Sequence, residues 1–191
     1  GVRLVGNVIA RGSTLGVKVR SDVAGLSSDI HIEGNLFVGN LAGVSLGSDN
    51  SDGDLSEIVH ERLTIRGNVF THMGGALPNG VVLGRAISIK QVSDAVVEDN
   101  LFVDKEVNTE WFAVEVETRL PTGDVQVRRN IVERWPVPRG RAALIHEDMA
   151  AMAEVRVTDN LIEAGAAPRR LDDFDGDLLD AVDWLMGGVA Q

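Results

Sequence analysis

Eleven residues, IHIEGNLFVGN at 30–40, return in altered form as LTIRGNVFTHM at 63–73. Copies at a fixed period constrain a fold more than any composition does. Six phrases align on one asparagine: VRLVGNVI (2–9), IHIEGNLF (30–37), LTIRGNVF (63–70), AVVEDNLF (95–102), VQVRRNIV (125–132) and VRVTDNLI (155–162). The anchors Asn7, Asn35, Asn68, Asn100, Asn130 and Asn160 are separated by 28, 33, 32, 30 and 30 residues. A second segment follows most anchors: GVKVRS (16–21), GVSLGS (43–48), AISIKQ (86–91), AVEVET (113–118) and ALIHED (143–148). Both segments alternate apolar and polar residues, the pattern of a half-buried strand. Same-direction strands recurring every thirty or so residues, without helical connectors, describe a chain that winds once per repeat.

One copy alone leaves its apolar side in water; stacked copies, about 4.8 Å apart, share a continuous core. The inward columns are then Val2/Ile30/Leu63/Ala95/Val125/Val155, Leu4/Ile32/Ile65/Val97/Val127/Val157 and Ile9/Phe37/Phe70/Phe102/Val132/Ile162. With 44% apolar residues but only 4% aromatics, that core is mostly aliphatic. The anchor asparagines suit a tight turn, since asparagine tolerates the left-handed region and its amide bonds nearby backbone. Stacked amides bond one another as well, so an internal asparagine ladder is expected, structural and not chemical in role.

On these phrases the chain resembles the right-handed parallel β-helices of the pectate-lyase-like superfamily, over residues 2–165. The resemblance implies an all-β solenoid of about six coils with an asparagine ladder. It says little of activity, because this fold carries lyases, hydrolases, epimerases, tailspikes and non-catalytic scaffolds. The acidic calcium cluster with partnering arginine of pectate lyases is not recognisable here, nor is the NxD…DD…GHG…RxK arrangement of polygalacturonase-like hydrolases.

The division expected is a β-helix over 1–165 and a linker with a capping helix over 166–191. In DDFDGDLLDAVDWLMGG (172–188), Phe174, Leu178, Val182 and Leu185 fall on one helical face, with Gly187 and Gly188 as a stop and Trp184 sealing the last coil. Residue 1 already lies inside a repeat. A larger parent chain with an upstream cap is therefore expected, the first coil being covered by that segment or by a partner chain. A net charge of −11 disfavours nucleic acid as a partner. No apolar run is long enough for a membrane span. Absence of cysteine excludes disulfides and leaves the compartment open, with an extracellular or particle-associated setting favoured.

Outward residues also form columns. Val5, Glu33, Arg66, Glu98, Arg128 and Thr158 alternate in sign through the middle four, which reads as a salt ladder fixing register. On the second segment the columns read Lys18/Ser45/Ser88/Glu115/Leu144 and Arg20/Gly47/Lys90/Glu117/His146. Lys90, Glu117 and His146 would lie on successive coils beside Glu115. A lysine or histidine among carboxylates is raw material for acid/base chemistry. Arg85, Trp111, Trp135 and Arg141 sit in or beside loops 71–85, 104–111 and 134–141 on the same edge, where they could hold a sugar. The plainer reading makes these residues a second salt ladder with packed tryptophans. No metal site is expected: SDNSDGD (48–54) and DDFDGD (172–177) resemble calcium loops in composition only, and His31, His60 and His72, read as surface or loop residues, lack zinc spacing. No cofactor is expected, calcium at one of those two acidic stretches being the lesser alternative to a solvated turn.

The functional expectation is a non-catalytic β-helix module that binds glycan or builds an extracellular, tailspike-like or baseplate-like assembly, with polysaccharide or other protein subunits as partners. The alternative is a polysaccharide lyase or glycoside hydrolase. Lys90 or His146 would then move the proton, with Glu115 and Glu117 assisting.

Overall fold

The computed structural model describes residues 1–12, 15–20, 27–47, 60–80, 82–83, 85–104, 112–116, 122–134, 145–147 and 155–163. The chain is an all-β parallel solenoid. Each asparagine phrase proves to be two strands, broken at the anchor, and the following segment supplies a third. The first sheet stacks β1 (Val2–Val5), β4 (Ser27–Glu33), β7 (His60–Arg66), β12 (Val92–Glu98), β15 (Val125–Arg128) and β18 (Val155–Thr158). The second stacks β2 (Val8–Ala10), β5 (Leu36–Val38), β8 (Val69–Thr71), β13 (Leu101–Val103), β16 (Ile131–Glu133) and β19 (Leu161–Glu163). The third holds β3 (Leu15–Val19), β6 (Ala42–Leu46), β11 (Ile87–Ile89), β14 (Val114–Val116) and β17 (Ile145–Glu147). Within these sheets every pairing is parallel, and Val2, Ile30, Leu63, Ala95, Val125 and Val155 are register partners in succession, as the alignment requires. The expected capping helix at 172–188 lies outside the described residues, as does Trp184; among the described residues there is no helix.

The break inside each phrase is a left-handed turn. It falls on the residue before the asparagine, in correction of the expectation that the asparagine itself takes that conformation: φ is +68° at Gly6, +61° at Gly34 and Gly67, +55° at Asp99, +52° at Arg129 and +56° at Asp159. The asparagine, freed from that duty, turns its amide inward. Its Oδ1 accepts from the backbone N–H and from Nδ2 of the preceding rung's asparagine, at 2.9 and 3.0 Å between Asn35 and Asn68. Its Nδ2 also donates to the preceding rung's strand, as from Asn68 to the Ile32 carbonyl at 2.8 Å. The pattern runs unbroken from Asn7 to Asn160. Asn40, fully buried at the next corner, does similar work between the first two rungs: it accepts from Gly12 N–H and donates to the Ile9 carbonyl, both at 2.8 Å.

Phenylalanine fills the middle of the core. Phe37 and Phe70 stack with centroids 4.6 Å apart and planes 9° from parallel, and Phe70 and Phe102 follow at 5.1 Å and 12°. Against them the first two strands of the third sheet carry glycine at their second positions, Gly16 and Gly43. A Cβ on Gly43 would stand 2.8 Å from Phe70 Cε1 and 2.5 Å from the Ala86 carbonyl oxygen. At Gly16 an added Cβ would likewise stand 3.1 Å from Phe37 Cδ1, so both glycines are room made for the rings.

One element departs from the winding. Within loop 71–85, β9 (Gly75–Ala76) and β10 (Val82–Leu83) pair as an antiparallel hairpin closed by Gly80 N–H on the Leu77 carbonyl, 2.9 Å. Its Gly75 passes so close to Leu41 of the preceding rung that a Cβ would lie 2.3 Å from Leu41 Cδ2.

Candidate functional site

The third sheet carries the residues that the sequence singles out. Val44, Ile87 and Val114 point inward, as do Leu46, Ile89 and Val116, so Ser45, Ser88 and Glu115 between them point out. Outward does not mean exposed. Ser88 is fully buried and Glu115 keeps 8% of its surface. The Glu115 carboxylate reaches back one rung, where Arg85 forms an ion pair with its Oε2 and Ser88 Oγ donates to the same oxygen at 3.0 Å. Arg85 stands just before β11 and is itself mostly buried, its backbone carbonyl accepting from Gly43 N–H at 3.4 Å.

One grouping requires correction. β17 pairs Glu115 with His146 and Val116 with Glu147, so the backbone position of His146 stacks over Glu115, the place the sequence columns assign to Leu144. A two-residue slip keeps every side chain on its own face, which is why alternation alone cannot detect it. In the backbone register Ile145 is the partner of Val114. Lys90 lies one residue past the paired part of β11, half-buried over Gly47, where an added Cβ would meet the Lys90 Cβ at 2.7 Å. The structure therefore brings together Arg85, Ser88, Glu115 and the backbone position of His146. Glu117, Trp111, Trp135 and Arg141 lie outside the described residues, as do the acidic stretches 48–54 and 172–177. Among the described residues no three histidine or carboxylate side chains converge as a metal site, and no helix is long and apolar enough to cross a membrane.

The expected salt ladder exists in its middle and is broader than one column. Glu98, nearly buried, accepts from Arg128 at 2.8 Å and Arg129 at 2.6 Å, with Arg66 at 3.8 Å. Burial by itself would raise the Glu98 pKa, but the hydrogen bonds and charges of Arg128 and Arg129 outweigh it and hold the group below its ordinary range. Arg129 also grips Asp99 through two bonds of 2.8 and 3.1 Å, which lowers that carboxyl too. Glu33 pairs with Arg3 and His31. On the first sheet's outer side Arg62 holds Asp29 across one rung at 2.8 and 3.1 Å and keeps its pKa low.

Two histidines read as surface or loop residues are buried. His72 takes φ +54° in the turn column Arg11, Gly39, His72, Asp104, Arg134, and its Nδ1 lies 2.7 Å from Thr71 Oγ1. Below it the fully buried Asp104 takes a forked pair from Arg134. The opposite charges at 104 and 134, thirty residues apart, were a legible signal for this contact. His60 starts β7 with no exposed surface, in register with Ser27 and Val92. The Val19 carbonyl is near enough to favour the charged ring, yet neither ring nitrogen meets hydrogen-bonding geometry. Burial dominates and pushes the pKa down.

The chain is thus a parallel β-helix whose described outer charges are largely spent on neighbours one rung away. Compared with protein-family models and with curated proteins, it matches no family model and no curated sequence.

Proposed function

We propose that the chain is a non-catalytic β-helix module, of the kind found in the pectate-lyase-like superfamily, serving as a rigid glycan-binding or structural element of an extracellular, tailspike-like or baseplate-like assembly. The observation that carries this reading is the closure of outward charges into inter-rung pairs: Arg85 with Glu115, Arg62 with Asp29, Arg134 with Asp104, and Arg128 and Arg129 with Glu98. Side chains committed to register are poor donors of mobile protons, and they make a stiff, precisely spaced surface.

A polysaccharide lyase or hydrolase is the second reading, and one feature favours it. Among the described residues the polar contacts of Glu115 fall on Oε2, and the register sets the backbone position of His146 one rung away. A carboxylate and an imidazole carried on neighbouring rungs have the chemistry of an acid/base pair. Incubation with uronic-acid and neutral polysaccharides separates the readings. The module reading expects neither unsaturated product nor new reducing ends, with any affinity unchanged in Glu115→Gln. Turnover that disappears in both Glu115→Gln and His146→Gln would establish the enzyme instead.

A further inference from the structure

The outer face of the third sheet is roofed where that of the first is open. Ser45, Ser88 and Glu115 point outward on successive rungs yet keep 4%, 0% and 8% of their surface. On the first sheet the outward Arg62 and Arg66 keep 51% and 58% of theirs. Stacked strands cover one another's edges and not their faces, so a segment outside the sheet must lie over the Arg85–Ser88–Glu115 cluster.

Among the described residues one element stands outside the three stacks, the β9–β10 hairpin. It leaves the winding in the rung that carries Ser88 and rejoins it at Arg85, just before β11. Both of its roots rest on one corner of the preceding rung. Gly74 N–H donates to the Asn40 carbonyl at 3.0 Å, and the Arg85 carbonyl accepts from Gly43 N–H at 3.4 Å. That corner runs into β6, the strand that bears Ser45, so the hairpin is rooted at the edge of the roofed face.

The hairpin also has the parts of a hinge. Gly74 and Gly75 enter it at φ +112° and +155°, angles that residues with side chains rarely adopt. Pro78, Asn79 and Gly80 at its tip are exposed, so an outward swing gives up little burial there. Its seat is narrow: Leu41 of the preceding rung, against the bare Cα of Gly75.

We propose that residues 75–83 form a hinged flap, latched on Leu41, that controls access to the Arg85–Ser88–Glu115 cluster. Closed, it keeps water from the Arg85–Glu115 pair and so strengthens it. Open, it bares Ser88 and Glu115 to whatever reaches the third sheet. Access is measured whether the cluster binds, reacts or only braces the rungs, so a flap that never opens leaves the glycan and catalysis readings as they stand.

Ser88→Cys places a single thiol in a chain that has no cysteine. Its alkylation by a small maleimide in the whole folded chain, followed by mass spectrometry, reports opening. The rate should lie far below that of the urea-unfolded chain and stay nearly flat at low urea, as a local opening does. Leu41→Ala, which removes the latch, should raise the rate about tenfold or more, and so should a hairpin in which residues 76–82 are replaced by two glycines. Both variants should keep the circular dichroism of Ser88→Cys alone and the same flat response to low urea. Rates unchanged in both variants overturn the proposal. So does alkylation of Ser88→Cys as fast as in the unfolded chain, or alkylation that follows urea with the full slope of global unfolding.

Discussion

Replacing Asn68 with alanine removes the centre of the ladder. The Asn68 side chain accepts from Asn35 N–H and Nδ2 at 2.9 and 3.0 Å and donates to Ile32 O, Arg66 O and Asn100 Oδ1 at 2.8, 3.1 and 3.0 Å, while only 1% exposed. Not all of these partners are orphaned. Asn35 Nδ2 keeps the Leu4 carbonyl, Arg66 O keeps Gly34 N–H, and Asn100 Oδ1 keeps Asn68 N–H. Asn35 N–H loses its acceptor and Ile32 O loses its side-chain donor, both inside the core. At about 1–3 kcal/mol for each of these two buried groups left unsatisfied, the cost is roughly 2–6 kcal/mol. The matched control is Asn7→Ala, at the exposed end of the ladder, which should cost about 1 kcal/mol or less. Urea unfolding of the two variants, followed by circular dichroism, gives the comparison; because solenoids lose cooperativity between repeats, the central transition is the one to fit. Equal losses in Asn68→Ala and Asn7→Ala would refute the reasoning, for the internal amide would then be no more than a turn residue.

Three further outcomes follow from the packing and the charges. Gly43→Ala should destabilise by about 1–3 kcal/mol through overpacking against Phe70 and the Ala86 carbonyl, and Phe70→Leu in the same chain should recover part of that loss in a double-mutant cycle. The folded pKa of His60 lies below its ordinary 6.5, so the unfolded chain takes up the proton first: stability should be full above pH 6.5, fall as pH drops below it, and level off below the folded pKa. His60→Leu should flatten that limb of a plot of urea midpoint against pH. Glu98, held low by Arg128 and Arg129, contributes stability that is present above its unfolded value of 4.5 and lost as pH falls through the folded one; Glu98→Gln should lower stability at neutral pH and shrink the acid loss.

The winding was readable because its signal is redundant. Six phrases with one asparagine and three inward columns leave little freedom of register, and Val2 through Val155 stack as the alignment places them. The second sheet was hidden for a local reason: Gly-Asn, Asp-Asn and Arg-Asn turns break a strand without interrupting its apolar pattern. The site was less readable. Alternation reports which face a side chain takes and not what covers that face, so buried Ser88 and Glu115 looked like surface. At β17 it was blind to a two-residue slip, and His146 was assigned to the wrong neighbour. His60 and His72 were misread because a lone histidine carries no periodic signal; only the columns around them, Ser27/His60/Val92 and Gly39/His72/Asp104, reveal that these positions are inside.

Cross-linking tests the vertical stacking most directly, and the absence of native cysteine leaves no background. His31 and Thr64 are outward register partners on adjacent rungs, and Thr64 pairs in turn with Val96. Strands stacked about 4.8 Å apart bring paired Cα atoms within the 4.4–6.8 Å that a disulfide spans, whereas two rungs lie about 10 Å apart. Mild oxidation should therefore link His31→Cys with Thr64→Cys, and Thr64→Cys with Val96→Cys, but leave His31→Cys with Val96→Cys reduced. Efficient bridging between 31 and 96, or none between 31 and 64, would mean that the chain does not wind as described.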